Sequence, residues 1–450
     1  MSLSAPGPHG LPLIGNFFDV RRDPIGTFTR AADAHGDVVR FRFGPVEAHL
    51  VTSAEGVRHV LQDNARNYGK QSRGFIKLRD MLGQGLLTSE GDFWLRQRRI
   101  AQPAFHRDKI AGFAEAMVRA GEEAVARLSD AASLGVPVDL SAEMMRVTLR
   151  IVAETLLGAD MRSEAHAVGE ALGTALEITR LRTMDPLGIP LWVPTLRNRR
   201  FLAARAILDG IVHRTIEARR RSGQTRSDLL GMLMDARDEE TGEGMNNAQL
   251  RDEVMTIFLA GHETTANALT WTFYLLSRHP EARERLFAEV DGILQGRAPT
   301  LADLPRLPYA RRVLDEAMRL FPPAFTMGRS VVDDDEILGY RIPSGTLVFV
   351  SPYATHRHRR YWPNPEGFDP ERFLPGPSAE RPRFSYFPFG GGPRLCIGQG
   401  FALLEAHLLL ALLASRLCLD LAPGHVVAAE PHITLRPRGG MPMYVRSREP

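Results

Sequence analysis

The sequence contains very little cysteine. Only two of its 450 residues are cysteine, Cys396 and Cys418. Two thiols cannot build a disulfide framework, so a reducing compartment is the default expectation. Cys418 lies in an apolar stretch and is predicted to be a core residue. Any special chemistry of sulfur is therefore expected at Cys396.

The sequence also has a small net charge and no long apolar run near its start. The formal net charge of +3 is too small to indicate a nucleic-acid partner. Residues 1–15 are rich in proline and glycine and lack the roughly 20 consecutive apolar residues that span a bilayer. They also lack the basic and then apolar pattern of a signal peptide. The sequence thus predicts a soluble, cytoplasmic protein without a membrane anchor.

No stretch of linker-like composition divides the chain. Length alone would suggest about three domains, but the absence of a linker favours one domain spanning residues 1–450. Alternating residues around a Gly-Pro turn predict a β-hairpin in a small β-rich region, residues 36–53. Strand-like composition returns at residues 337–350.

Most of the remaining sequence shows helical periodicity. The spacing predicts helices over much of residues 53–294, with a long helix at 249–278. Residues 403–417 are apolar on nearly every face and predict a buried helix. Residues 352–388, rich in proline, arginine and aromatics, predict an irregular segment. The expected fold class is mainly α with small β-sheets.

The most informative motif is Phe-Gly-Gly-Gly-Pro-Arg-Leu-Cys-Ile-Gly at residues 389–398. Its glycines allow a sharp turn and close approach to a flat partner. An apolar run follows the cysteine, which places the sulfur near a helix N-terminus, where a thiolate is favoured. A thiolate is the ligand with which heme iron promotes O–O cleavage. A buried, inert thiol is the alternative. A phosphate-binding loop is excluded because no Gly-Lys-Ser/Thr follows.

A second motif, Ala-Gly-His-Glu-Thr-Thr at residues 260–265, lies within the predicted long helix. A zinc-protease motif is excluded, because His-Glu-x-x-His needs a second histidine where Ala266 stands. Glycine inside a helix costs about 1 kcal/mol relative to alanine. Small residues followed by an acid and an alcohol therefore favour a helix opened beside a ligand. The alternative is a surface acid, with threonines that hydrogen-bond back to the helix.

A third motif pairs Glu316 with Arg319 and is followed by Pro-Glu-Arg-Phe at residues 370–373. Glutamate and arginine three residues apart share a helix face. The spacing is not specific, because three other pairs have it: Glu143/Arg146, Glu177/Arg180 and Glu217/Arg220. Those three are expected to be solvated pairs worth about 0.3–0.5 kcal/mol each.

The three motifs in this order resemble the cytochrome P-450 family of heme-thiolate monooxygenases. The resemblance extends over nearly the whole chain and is closest to soluble bacterial members. It implies heme b (iron protoporphyrin IX), bound between a long central helix and the cysteine loop, with O2 as co-substrate. In the loop motif, Cys396 would be the metal ligand, flanked by the cofactor-binding residues Phe389, Gly392, Arg394 and Gly398.

The resemblance also implies roles for residues of the other motifs. Ala260 and Gly261 would leave room for dioxygen, Thr264 would hydrogen-bond the bound oxygen, and Glu263 would relay protons from solvent. A buried, structural triad would comprise Glu316, Arg319 and Arg372. The heme propionates would be held by Trp94, Arg98, Arg329 and Arg394. Three other arginines are either plain surface charges or a basic face for an acidic electron donor: Arg96, Arg99 and Arg107.

The sequence gives less information about the substrate than about the cofactor. The resemblance places a pocket at seven residues: Phe75, Ile76, Met81, Leu82, Phe258, Phe325 and Met327. Their side chains suit an apolar small molecule of lipid, terpenoid, steroid or macrolide type. Residues 44–49 lack the Arg–Tyr pair that holds a carboxylate in similar fatty-acid hydroxylases. Arg73, Lys77 or Arg79 could substitute, but no residue specifically favours fatty acids.

The resemblance favours a monomeric monooxygenase that hydroxylates or epoxidises its substrate. Its electrons would come from NAD(P)H through a ferredoxin or flavodoxin with its reductase, because the sequence shows no flavin or ferredoxin domain. Two alternatives stay open. A peroxygenase using hydrogen peroxide is disfavoured by the acid and alcohol at 263–264. A heme-thiolate sensor or ligand carrier would not need a proton relay.

Overall fold

The computed structural model describes residues 3–158, 165–183, 185, 188–222 and 228–448. The fold is mainly helical with small β-sheets, which confirms the predicted fold class. The helices are α1 Phe17–Arg22, α2 Pro24–His35, α3 Ala54–Arg58, α4 Arg73–Leu82, α5 Gly91–Ala101, α6 Arg107–Ala111, α7 Ala114–Leu134, α8 Leu140–Leu157, α9 Ala165–Thr183, α10 Leu196–Ser222, α11 Leu229–Asp235, α12 Asn247–Arg278, α13 Pro280–Leu294, α14 Pro308–Leu320, α15 Pro352–Thr355, α16 Pro375–Glu380 and α17 Gln399–Arg416.

The strands form small sheets. They are β1 Val38–Phe43, β2 Val46–Val51, β3 Tyr68–Gly69, β4 Val138–Asp139, β5 Met327–Val331, β6 Asp335–Ile337, β7 Tyr340–Ile342, β8 Leu347–Val350, β9 Leu417–Leu421, β10 Ala429–Pro431, β11 Leu435–Pro437 and β12 Pro442–Ser447. One sheet has the strand order β1-β2-β8-β5-β3 and another the order β4-β12-β9. The pairs β6-β7 and β10-β11 are separate two-stranded sheets.

The chain forms two compact units. The first unit comprises Met1–Phe75 and Asp315–Cys396, and the second comprises Ile76–Leu314 and Ile397–Pro450. Each unit is therefore built from two stretches of chain that are distant in sequence.

The first unit is organised around the five-stranded sheet. Gly44 has φ +62°, a left-handed conformation that suits glycine, and it turns β1 back onto β2 as predicted. β2 then pairs in parallel with β8, so the end of the predicted region 337–350 joins the sheet of the hairpin. The earlier part of that region contributes to the separate sheet β6-β7. One apolar cluster of the sheet contains the fully buried Trp362, and a second contains Phe28 of α2. Residues 352–388 contain only short helices and turns.

The second unit has two largely buried helices at its centre. α12 starts two residues before the predicted 249–278, because Asn246 and Gln249 form a capping box. α17 starts before the predicted 403–417 and ends at Arg416, since Leu417 begins β9. Gly121 of α7 brings that helix so close to α17 that an added Cβ would lie 2.7 Å from Leu412.

Among the helices of the described ranges, none is both long and apolar enough to cross a bilayer.

Candidate functional site

The loop before α17 has a backbone that depends on glycine. Gly390 and Gly392 have φ +75° and +63°, the left-handed region in which a side chain is strained. An added Cβ on Gly392 would lie 1.8 Å from the carbonyl oxygen of Leu61. The loop then closes on itself, as the Cys396 N–H donates to the Phe389 carbonyl at 3.1 Å. These features fix the loop around the cysteine.

The two cysteines differ in their surroundings. Cys396 is exposed, and Gln399, the first residue of α17, follows it by three positions. Cys418 is buried, as predicted, and burial raises the pKa of its thiol. Gly398 is the N-cap of α17, and an added Cβ there would meet nothing within 4 Å. Of the two sulfurs, only that of Cys396 is placed to bind a ligand.

Two arginines of the first unit were predicted to hold carboxylates. Arg329 lies on β5 and is 7% exposed, with Nη1 donating to the Gly328 carbonyl at 2.8 Å. Arg394 ends the short 3-10 turn Gly392–Arg394 and is half-buried. Both residues thus belong to the same compact unit as Cys396.

The second unit presents an accessible row midway along the largely buried helix α12. Ala260 is exposed, and Ile257, Gly261 and Thr264 are partly exposed. Spacings of three and four residues place them on one helix face. The small residues at 260 and 261 leave this face flat. Gly261 also lets α12 approach α8, because an added Cβ would lie 2.9 Å from Val152.

The residues following this glycine are buried or bonded to the helix. Thr264 Oγ1 donates to the Ala260 carbonyl at 2.8 Å, so the alternative was correct in predicting back-bonding. It was wrong in predicting a surface acid, because Glu263 is 2% exposed. His262 is also buried, and burial lowers its pKa.

Glu263 is held by two residues that sequence reasoning missed. Arg436 Nε donates to Glu263 Oε1 at 2.6 Å, and the Thr434 hydroxyl donates to the same oxygen. Asn267 Nδ2 donates to Thr434 Oγ1 at 3.0 Å. Burial would raise the pKa of Glu263, but Arg436 and Thr434 leave that pKa below its ordinary value. The Arg436 side chain is 27% exposed and connects the buried carboxylate with solvent.

A further buried carboxyl lies on α17. Glu405 is fully buried, and burial raises its pKa well above the ordinary value, although the Thr265 hydroxyl opposes this. No sequence motif drew attention to it, because an acid within an apolar run has no visible partner.

The structure brings Glu316, Arg319 and Arg372 together in the first unit. Arg319 donates to both carboxylate oxygens of Glu316, at 2.7 and 2.8 Å, and neither residue is exposed. Arg372 Nε lies 3.4 Å from Glu316 Oε1, and the Asp369 N–H donates to that oxygen at 2.9 Å. Burial raises the pKa of Glu316, and the two guanidinium groups oppose this.

The remaining N–H groups of Arg319 hold the segment that follows β8. They donate to the carbonyls of His356, Pro365 and Gly367 at 3.0, 2.6 and 2.8 Å. One arginine thus fixes the irregular segment at three points, which is a structural role.

Of the other pairs with this spacing, one differs from the expectation. Glu143 is 7% exposed and accepts from Arg127 at 2.6 Å and from Arg146 at 3.1 Å, so the prediction of a solvated pair was wrong there. Glu177 and Glu217 are exposed. Burial, which the spacing does not reveal, separates these cases.

Helix α5 carries the predicted propionate partners of the second unit. Trp94 and Arg98 are half-buried and share a face by their i,i+4 spacing. Arg99 forms two hydrogen bonds of 3.1 Å with Asp238, and Arg96 donates to Glu243 at 2.9 Å. Arg96 and Arg99 are therefore engaged in ion pairs within the chain, and a basic docking face for an electron donor stays a prediction.

The predicted pocket residues have mixed surroundings. Within the second unit, Met81 and Leu82 have no exposed surface, Phe258 is buried and Ile76 is exposed. Within the first unit, Phe325 is buried, Met327 packs against the core cluster, and Phe75 lies under the Lys70 ammonium at 5.2 Å. Burial alone does not distinguish pocket lining from core packing for these residues.

The possible ligand residues fit a metal that is already coordinated by an organic cofactor. Within the described ranges, no group of three or more His, Cys, Asp or Glu residues could hold a bare metal ion. The accessible Cys396 could supply the thiolate that binds heme iron in monooxygenases. Arginines such as Arg329 and Arg394 suit the carboxylates of that group. The residues present therefore fit heme.

Comparison with known proteins gives a family match over most of the chain. The family model described as cytochrome P450 matches residues 5–440. The heme domain of cytochrome P450DA, a solved structure, superposes with a TM-score of 0.92 and 30% identity, covering 100% of this chain and 99% of that one.

Bacterial relatives are similar over nearly their full length. Cyclooctatin synthase of Streptomyces melanosporofaciens is 42% identical, with 95% of this chain and 92% of the relative covered. Cyclooctat-9-en-7-ol 5-monooxygenase of the same organism is 39% identical, with 93% and 90% covered. Pentalenene oxygenase of Streptomyces avermitilis is 35% identical, with 91% and 90% covered.

Proposed function

Because this chain belongs to the cytochrome P450 family and is a monooxygenase of organic substrates, we propose that its substrate is an apolar terpenoid. Two relatives are named for oxygenation of cyclooctat-9-en-7-ol and of pentalenene. The apolar side chains predicted for the pocket suit such molecules. The product would be a hydroxylated or epoxidised terpenoid.

The residues proposed to hold the cofactor are the accessible cysteine and four partners for its carboxylates. Cys396 would bind the iron of heme b, and Arg329, Arg394, Trp94 and Arg98 would bind the propionates. When bound, the heme supplies the activation of O2 that this family uses. The exposed thiol and the glycine-dependent loop around it support this assignment.

Proton supply is the task proposed for Glu263 and Thr264. The observation that carries the proposal is a buried carboxylate beside the accessible row of α12, joined to solvent through Arg436. Glu263 would take a proton on the Arg436 side and pass it towards Thr264. A peroxygenase or a ligand carrier would have no use for this connection.

The proposed electron donors are a ferredoxin or flavodoxin with its NAD(P)H-dependent reductase. Arg96 and Arg99 are engaged with Asp238 and Glu243, so docking would use other cations such as the exposed Arg107. We expect a cytoplasmic monomer, and sedimentation of the purified holoenzyme would test the oligomeric state.

The test of the ligand is the absorbance of the reduced, carbon monoxide-bound protein. Wild type and Cys418→Ser should show the red-shifted band of a thiolate-bound heme, and Cys396→Ser should lose it. A band retained in Cys396→Ser would overturn the assignment. A screen of terpene hydrocarbons, terpene alcohols and fatty acids for displacement of water from ferric iron would then test the substrate class. A response limited to fatty acids would contradict the terpenoid proposal.

A further inference from the structure

The helix that follows β2 continues into an irregular turn in the first unit. α3 ends at Arg58, and His59–Asp63 form a turn of π-helix, closed by the Asn64 N–H donating to the His59 carbonyl at 2.9 Å. A π-turn holds one residue more than a turn of α-helix, and such turns are rare and occur often at functional sites. Contacts with other parts of the chain are therefore expected to stabilise it.

The contacts that stabilise this π-turn meet at one carboxylate oxygen. Asp335 Oδ2 accepts three hydrogen bonds, from His59 Nε2 at 2.8 Å, from Asn64 Nδ2 at 3.0 Å and from the Tyr68 hydroxyl at 2.5 Å. His59 is the first residue of the turn and Asn64 follows its last residue, so both ends of the turn are tied to the same atom. These four residues form the Asp335 cluster.

The carboxylate at the centre of the Asp335 cluster is largely buried and ionised. The side chain of Asp335 is 12% exposed. Burial alone would raise its pKa, but the hydrogen bonds from Tyr68 and His59 hold that pKa below its ordinary value. Asp335 is therefore charged at neutral pH, and hydrogen bonds to a charged acceptor are stronger than those between neutral groups.

The five-stranded sheet holds the Asp335 cluster in place. Tyr68 lies on β3 and pairs with Val331 of β5. Two residues before Asp335, the backbone of Asp333 exchanges two hydrogen bonds with the Asn67 side chain, at 2.7 and 2.9 Å. The cluster therefore connects the π-turn with the central sheet of the first unit.

The middle of the π-turn lies directly against the cysteine loop. A Cβ added to Gly392 would be 1.8 Å from the Leu61 carbonyl oxygen and 3.0 Å from the Gln62 Cα. Gly392 lies four residues before Cys396 and begins the short turn Gly392–Arg394. Because backbone meets backbone at this point, the π-turn forms one wall of the cysteine loop.

We propose that Asp335 is a positioning residue for Cys396, because its cluster fixes the π-turn that supports the cysteine loop. The inference rests on the proposed function, in which Cys396 binds heme iron. Contacts that orient a ligand also tune its bond to the metal. Without the Asp335 cluster the loop would move more freely, and the Cys396 thiolate would take up a proton from solvent and leave the iron more easily.

The experiment follows the red-shifted band of the reduced, carbon monoxide-bound holoenzyme in urea below its unfolding transition. Asp335→Asn keeps the size of the side chain and removes the charged acceptor of three hydrogen bonds, so the band should decay about tenfold faster than in wild type. Asp334→Asn makes the same change at the neighbouring, exposed acid, which pairs with Arg341. This matched control should keep the decay rate within about twofold of wild type.

A second variant changes no charge. Asn64→Leu removes one neutral donor and releases the end of the π-turn, so the band should decay about three- to tenfold faster. Asn247→Leu, at an exposed position, is its control and should leave the rate unchanged. Decay within about twofold of wild type in both Asp335→Asn and Asn64→Leu would overturn the proposal.

Hydrogen exchange separates positioning of the loop from stabilisation of the whole unit. The Cys396 N–H donates to the Phe389 carbonyl and reports on the loop. The Trp362 N–H donates to the His358 carbonyl in the buried core and reports on the first unit as a whole. In Asp335→Asn, exchange should become about tenfold faster at Cys396 and stay within about twofold at Trp362. Equal acceleration of the two amides would overturn the positioning role.

Failure of the proposed function would look different from failure of this inference. If Cys396 did not bind the iron, the red-shifted band would already be absent from the wild type. The exchange of the Cys396 amide would still respond to Asp335→Asn, because the contact between the π-turn and Gly392 does not depend on the ligand.

Discussion

Two buried glutamates, Glu316 in the first unit and Glu263 in the second, are bound by arginine in different ways. Both oxygens of Glu316 are engaged, and its partner Arg319 has no exposed surface. The contacts of Glu263 with Arg436 and Thr434 use a single oxygen, Oε1, and Arg436 is 27% exposed. When both carboxylate oxygens are hydrogen-bonded to buried partners, as in Glu316, the pair is a rigid structural brace. When the contacts use one oxygen and the partner reaches solvent, as in Glu263, the carboxylate can exchange protons.

The brace should show the largest effect on stability. Arg319→Leu leaves Glu316 buried without its bidentate partner and removes three hydrogen bonds to backbone carbonyls. We expect the free energy of unfolding to fall by about 3–5 kcal/mol, measured by urea denaturation. Arg341→Leu, which removes an exposed pair with Asp334, is the control and should change nothing measurable. Equal effects of the two substitutions would contradict the role of Arg319 as a brace.

The relay glutamate should show its effect in chemistry and not in stability. Glu263→Gln keeps the size of the side chain and removes the titrating group, so product per electron consumed should fall by about 100-fold. Thr264→Ala should uncouple as well. The readout is the ratio of product to NAD(P)H oxidised, with peroxide as the expected by-product. Normal coupling in both variants would exclude the relay role. Glu316→Gln, at the brace, should instead lower the yield of folded protein.

A third buried glutamate, Glu253, forms no ion pair with any residue that the structure describes, and it extends the comparison. Its pKa is raised to about 8 by burial, against the hydrogen bond from the Leu86 N–H and with the charge of Asp252 adding to the rise. The neighbouring cation Arg251 is engaged with Asp252 and Asp209. The native carboxyl therefore holds its proton at neutral pH.

The sign of the resulting pH dependence follows from linkage. When residues 83–86, which donate backbone N–H groups to Asp252 and Glu253, separate from α12 and expose Glu253, its pKa returns towards 4.5. This opening therefore releases a proton between pH 4.5 and about 8. Opening should become easier by up to about tenfold per pH unit in this window and level off above it. Exchange of the Leu86 amide at pH 6 and 7, corrected for intrinsic rates, measures this. Glu253→Gln should remove the slope, and an unchanged slope would exclude Glu253 as its origin.

Local pattern was enough to predict much of this molecule. The loop around Cys396 and the small residues of α12 could be predicted because their signals, glycine, cysteine and helical spacing, lie within a few residues of one another in sequence. Glu316 was singled out only by motif order, since Glu143 has the same spacing and is also buried. Thr434 and Arg436 were missed because they lie 171 and 173 residues from Glu263 in sequence. Contacts at such separations depend on packing that no local pattern encodes.

The smallest expected effect concerns the cation that links Glu263 to solvent. Arg436 lowers the pKa of Glu263, so Arg436→Ala should raise that pKa. In a plot of product per NAD(P)H oxidised against pH, the acidic limb should then move to higher pH. Arg436→Lys keeps a charge near the carboxylate and should stay close to wild type, with changes of only about two- to threefold. A purely structural Arg436 would lower stability in both variants without moving the limb. The partner of Glu316 is fully buried, so the same change there, Arg319→Lys, should lower the free energy of unfolding far more than Arg436→Lys does. Equal loss of stability in the two lysine variants would abolish the distinction between brace and relay.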